Sequence, residues 1–228
     1  MKREDQVVAL IPVREGSQRV KSKNFRNFVD NESLLSLKIK QLKEEDCFSN
    51  IYVSSDSIRA KEMALDLGAE FLDRPVHLCQ SEARWFDVTN HILETVPGNP
   101  IAAWTMVTAP MFTRYKDAIE TFGIKIGEGF NSLLTVEAHK EYYLNEKGRP
   151  VNCNFGFWHS YTQELETYYS ITGSLYVAQK SDQLKWNYWV GTKPYLYEIS
   201  RFESVDVDTM EDFKFAKLLY ENKEVIGD

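Results

Sequence analysis

Apolar residues come in short runs set between polar, helix-periodic stretches. Val7 to Val13 (VVALIPV) is one continuous apolar run rich in β-branched residues, the pattern of a strand buried on both faces. The following REGSQRVKSKN at 14–24 is polar and basic and reads as a loop. Residues 33–45 place Leu35, Ile39 and Leu42 at i, i+4 and i+7, which predicts a helix. A second strand is expected over 51–54 (IYVS). Residues 57–67 then set Ala60, Met63, Ala64 and Leu67 on one helical stripe, stopped by Gly68. The alternation continues with a helix over 84–96 ended by Pro97-Gly98, a strand over 102–108 and a helix over 115–127. From 131 the texture changes: 131–137, 141–146, 171–178 and 195–199 all read as strands. The stretch 150–170 is rich in aromatics without clear periodicity, and a last helix fills 210–222.

Strands alternating with helices imply an α/β fold, a mostly parallel twisted sheet with helices on both faces. The strand-rich second half suggests an antiparallel insertion or a subdomain. No linker, low-complexity tract or internal repeat interrupts the 228 residues, so the expectation is a single domain over 1–228.

Composition narrows the function. A formal net charge of −7 lacks the basic face that duplex-binding proteins carry, so nucleic acid is not an expected partner. Cys47, Cys79 and Cys153 are far apart and form no C-x-x-C, which argues against a disulfide framework or structural zinc and fits a reducing, cytoplasmic setting. No apolar run approaches the length that spans a bilayer, and the N-terminal run is too short for a signal peptide.

In an open parallel sheet, ligands bind beyond the carboxyl ends of the strands. The loop after the first strand carries Arg14, Arg19, Lys21 and Lys23, with Gly16 and Ser17 allowing the backbone to approach closely. Four cations in one loop of an acidic chain suit an anionic ligand such as a triphosphate; a solvated basic loop is the equal alternative. Neither G-x-G-x-x-G nor a P-loop motif is present. Near the other end, Asp206 and Asp208 flank Val207. In an extended segment, i and i+2 point the same way, so the two carboxylates form an anchor for a hard cation such as magnesium. Alternatively Asp208 is a helix cap, with Glu211 three residues on completing a capping box. His77, His91, His139 and His159 form no ligand spacing and read as structural or exposed. Asp56 either faces the crevice or caps the helix after it. Trp158, Tyr161, Tyr168 and Tyr169 either line a pocket or interface, or pack a core.

Several motifs then carry a resemblance. IPVREGSQRVKSKNFRNF is similar to the signature of the cytidylyltransferases that activate acylneuraminate and related nonulosonic acids, matching it at Arg14, Gly16, Ser17, Lys23 and Asn24. The Ser17-Gln18-Arg19 order also resembles the related Kdo enzymes. Val53-Ser54-Ser55-Asp56, Arg74-Pro75, Thr108-Ala109-Pro110, Thr172-Gly173-Ser174-Leu175-Tyr176 and Ser204-Val205-Asp206-Val207-Asp208-Thr209 resemble further family motifs, in the family's order, over nearly the whole chain.

The resemblance implies a three-layer nucleotide-diphospho-sugar-transferase-like fold and transfer of CMP from CTP to a small acidic acceptor, with release of pyrophosphate. It implies Arg14 and Lys23 as catalytic groups, and Arg14, Gly16, Ser17, Arg19, Lys23, Asn24, Ser54, Arg74 and Thr108 around the nucleotide. It further implies Mg2+ on Asp206 and Asp208, a homodimer, and an acceptor and dimerisation subregion at about 138–170. The family's base-reading glutamine is replaced by Met106, its following arginine by Phe112, and the asparagine of N-G-A by Thr172. Two rival readings stay open: a metal-dependent glycosyltransferase of related fold, and a non-catalytic nucleotide-binding relative.

Overall fold

The computed structural model describes residues 6–16 and 20–226. Its strands are β1 (Val7–Pro12), β2 (Asn27–Val29), β3 (Glu32–Ser33), β4 (Asn50–Ser55), β5 (Glu70–Asp73), β6 (Ile101–Trp104), β7 (Ser132–His139), β8 (Tyr168–Gln179) and β9 (Pro194–Glu198). Its helices are α1 (Leu34–Glu44), α2 (Ile58–Asp66), α3 (Trp85–Thr95), α4 (Tyr115–Gly127), α5 (Lys180–Trp186), α6 (Met210–Glu221) and α7 (Lys223–Ile226). Seven strands form one sheet in the order β5-β4-β1-β6-β8-β7-β9, and β2 with β3 makes a separate small hairpin. Within the large sheet β8 runs antiparallel to both its neighbours, while the other neighbouring pairs are parallel. The strand-rich second half is therefore no separate sheet, because β7, β8 and β9 extend the first one.

Alternation along the buried strands sorts side chains into two layers. Val7, Ala9, Ile11 and Val13 face α1, α2, α4 and α6 on one side. Val8 and Leu10 face α3 and α5 on the other, together with Tyr52, Trp104 and Tyr176. Leu10 is fully buried there, and truncating it to Ala would cost about 2–5 kcal/mol in transfer and cavity energy.

Two expectations change. The strand predicted over 102–108 stops at Trp104, and from Thr105 the chain turns across the top of the sheet. Residues 141–146 are not a strand but hold a single bridge, Leu144 to Pro150. The Asn145 side chain accepts from the amides of Lys147 and Arg149, and Gly148 turns at φ +71°. These local bonds satisfy the backbone without a ladder. Strand β5, the β2–β3 hairpin and α5 carry too little periodicity to be read from sequence.

Candidate active site

The chain just beyond the carboxyl ends of β1, β5 and β6 lines one crevice, as expected of parallel strands. A cleft of about 290 Å³ lies there, lined by Pro12, Arg14, Arg74, Ser81, Trp85 and Met106 among others. Arg14 is exposed and donates to Ser81 Oγ at 3.2 Å. Arg74 is buried and donates to the carbonyl of Val13 and, at 3.0 Å, to Cys79 Sγ. Its own amide bonds the carbonyl of Ser55 at 2.9 Å, which ties β5 to the end of β4. Burial raises the Cys79 thiol pKa, against the opposing pull of Arg74.

A second cluster sits beside the cleft. Lys23 is almost fully buried and donates to the carbonyl of Val207 at 2.6 Å, with Asp208 Oδ1 at 3.4 Å. Asn24 donates to the carbonyl of Arg14 at 3.1 Å, so both ends of the loop after β1 are tied together. The amide of Val207 bonds the carbonyl of Thr108 at 2.8 Å, and the Thr108 side chain hydrogen-bonds Asp206. A Cβ built on Gly173 would lie 3.4 Å from Met106 Cγ and 3.8 Å from Asp206 Oδ1. The two clusters therefore meet at Gly173. A β-carbon there would make ordinary van der Waals contact with both walls.

Residues 205–208 have no regular secondary structure, with Val207 fully buried and Asp206 and Asp208 reaching solvent on either side of it in sequence. Asp208 does not cap α6. Thr209 does, in a capping box with Asp212, because its hydroxyl and the Asp212 carboxylate satisfy the first amides reciprocally. Burial by surrounding protein raises the Asp206 pKa, the Thr108 bond opposes this, and the neighbouring Asp208 carboxylate adds to it. Two carboxylates flanking one buried residue are oxygen donors of the kind a hard divalent cation takes together with phosphate oxygens and water, so the residues present fit magnesium.

The remaining expected positions are less direct. A Cβ on Gly16 would meet nothing within 4 Å among the described residues. Ser54 is buried at the end of β4, and its hydroxyl has no partner among the described residues. Ser17 and Arg19 lie outside the described residues. Ser57 caps α2, while Asp56 lines the neighbouring hollow with Arg14 and Cys79. Sequence reasoning missed the opposite wall of the cleft, Cys79 to Ser81 and Trp85, because no local spacing joins it to Arg14 across 67 residues. Glu137 was missed for the same reason: it accepts from Ser204, two residues before Asp206. Trp158 and Tyr161 are exposed (76% and 73%), so the core-packing alternative does not hold for them. Tyr168 and Tyr169 are partly exposed. Among the described residues no helix is long and apolar enough to cross a membrane.

Known proteins share this fold and parts of this sequence. A family model described as Cytidylyltransferase matches residues 8–102. The chain is 25% identical over 212 residues to an N-acylneuraminate cytidylyltransferase of Streptococcus agalactiae serotype III, covering 90% of this chain and 51% of that one. It thus spans about half the length of the first such relatives. It is also 26% identical over 224 residues to a pseudaminic acid cytidylyltransferase of Campylobacter jejuni, covering 93% of this chain and 95% of that one. The structure of CMP:2-keto-3-deoxy-manno-octonic acid synthetase complexed with CTP superposes with a TM-score of 0.71 at 12% identity, over 96% of this chain and 100% of that one. That last likeness speaks to the fold alone. Residues 8–102 thus match the cytidylyltransferase family model, and relatives named as cytidylyltransferases align with nearly the whole chain at about a quarter identity.

Proposed function

We propose that this chain, acting as one catalytic unit, transfers CMP from CTP to a small acidic acceptor of the nonulosonic acid kind and releases pyrophosphate. The observation that carries the reading is the Lys23 ammonium set between the loop after β1 and the Asp206-Val207-Asp208 segment. It joins the basic loop suited to phosphates with the carboxylates suited to a cation. The acceptor hydroxyl forms a new bond to the α-phosphorus as the bond to pyrophosphate breaks, and the hydroxyl proton passes to solvent.

Arg14 and Lys23 offset charge building on the phosphates and the leaving pyrophosphate. Arg74, Ser81 and Met106 wall the cleft that takes the nucleoside, with Asn24 holding the loop beside it. Asp206 and Asp208 are the residues that would hold Mg2+. When bound, the ion neutralises phosphate charge and helps ionise the acceptor hydroxyl. The exposed aromatics of 138–170, with Phe157 at 91% and Trp158 at 76%, support a homodimer formed through that subregion. The cysteines, set apart and free, support a cytoplasmic setting.

The test is a pyrophosphate-release screen of the four common NTPs against nonulosonic acids, Kdo, phosphonates and sugar phosphates, with and without Mg2+. Release with CTP and an acidic sugar is the expected result. Release only with another NTP sinks the CTP reading. Glycosyl transfer from a nucleotide sugar without pyrophosphate would favour the glycosyltransferase rival.

A further inference from the structure

The loop after β6, from Thr105 to Pro110, starts from two backbone bonds, Thr105 N to the carbonyl of Leu10 and Met106 N to the carbonyl of Gly173, each at 3.1 Å. Its far end is held by α1 through the carbonyls of Ala109 and Pro110. Lys38 is fully buried, and its ammonium donates to the carbonyl of Ala109 at 2.7 Å and to the hydroxyl of Tyr115. The Tyr115 hydroxyl lies 3.3 Å from Thr105 Oγ1, so one lysine reaches both ends of the loop. One turn further along α1, Gln41 donates to the carbonyl of Pro110 at 2.7 Å. An apolar side chain at either position would leave a buried carbonyl without a donor, a costly vacancy. The stretch so held carries Met106 into the cleft, and through Thr108 it bonds the Asp206 side chain and the Val207 amide.

We propose that Lys38, seconded by Gln41, is a positioning residue for the Asp206–Asp208 cation anchor, acting through the Thr105–Pro110 loop. The inference rests on reading those carboxylates as the magnesium ligands. Neither residue touches nucleotide, metal or acceptor. They fix the loop that fixes the carboxylates, and residues that orient ligands commonly govern metal affinity as strongly as the ligands' own surroundings do.

The experiment uses the full chain as wild type, Lys38→Met and Gln41→Met, with Mn2+ as probe. Free Mn2+ is read by electron paramagnetic resonance in the presence of CTP and without acceptor, so that no turnover occurs. CTP affinity in EDTA is measured alongside. Lys38→Met is expected to weaken Mn2+ binding by about tenfold or more, with Gln41→Met less affected and metal-free CTP affinity falling by less than Mn2+ affinity in both. Unchanged Mn2+ affinity in folded variants overturns the proposal while leaving the anchor reading intact. Equal loss of CTP and Mn2+ binding also overturns it, as a merely structural effect. If the wild type takes up no Mn2+ with CTP, the anchor reading itself falls and the proposal with it. Should Lys38→Met fail to fold, Gln41→Met decides.

Discussion

The Lys23 ammonium donates to the carbonyl oxygen of Val207 at 2.6 Å, across 184 residues of sequence. That contact draws together the two stretches of chain on which the proposed reading rests, and the lysine is almost sealed from water. A lysine placed so has two duties. It satisfies a buried carbonyl, and it sets a positive charge beside Asp208 where phosphate would lie.

Lys23→Met should therefore damage both stability and rate. The orphaned carbonyl costs about 1–3 kcal/mol. Loss of the charge should lower pyrophosphate release by about a hundredfold or more. Thermal melting and single-turnover assays check the two separately, and a variant with full activity would remove Lys23 from the mechanism.

Asp206→Asn and Asp208→Asn should each abolish the response of turnover to added Mg2+, and EDTA should silence the wild type. Asp206 has a pKa above its ordinary 3.8, because burial and Asp208 disfavour its charge. The folded chain then keeps its proton longer than the unfolded chain. In the absence of metal, stability is present below 3.8 and is lost as pH rises through the raised folded value. Asp206→Asn should flatten that fall in acid-range denaturation curves.

Lys38 gives the opposite slope. Burial lowers its pKa from 10.5 to about 7. Between those values the unfolded chain binds the extra proton, so stability should rise with pH by up to about 1 kcal/mol per pH unit and level off above the unfolded value. Urea denaturation at pH 7 and pH 9 should show this rise in wild type. Its persistence in Lys38→Met would assign the slope to another group.

Met106→Gln puts an amide donor and acceptor on the cleft wall where a thioether stands. The expected outcome is CTP binding tighter by about three- to tenfold, with UTP gaining less. Calorimetry with both nucleotides measures it. Equal gains for both would place the base elsewhere in the cleft.

Phe157→Lys and Trp158→Lys set charge on the most exposed aromatics of 138–170. Sedimentation should show the two-chain mass falling to one chain, with the fold intact by circular dichroism. A wild type that sediments as a single chain would dismiss the dimer outright.

Much of the architecture was legible beforehand. The buried run at Val7 to Val13, the stripes of α1 and α2 and the full extent of α4 follow from periodicity, because a side chain's burial repeats with the geometry of its own element. The candidate site was legible only as separate pieces. The loop at 14–24 and the Asp206-Val207-Asp208 segment stood out by their residues, while Arg74, Thr108 and the order of the motifs came from resemblance. Three things did not follow from the sequence. The cap of α6 fell to Thr209 instead of Asp208, which depends on which side chain lies nearer the first amides. The strand expected at 141–146 dissolved into a turn whose bonds are local. Lys38, unremarkable on a helix by sequence, became the buried support of a distant loop. By itself the sequence determined the main alternation of strands and helices, and marked a basic loop and a carboxylate pair as candidates for phosphate and cation. Tertiary structure alone decided that Lys23 meets Val207, that Arg14 meets Ser81 and that Lys38 meets Ala109. Those pairings arise from strand order and loop closure, and contacts between residues tens to hundreds of positions apart leave no periodic trace in the chain.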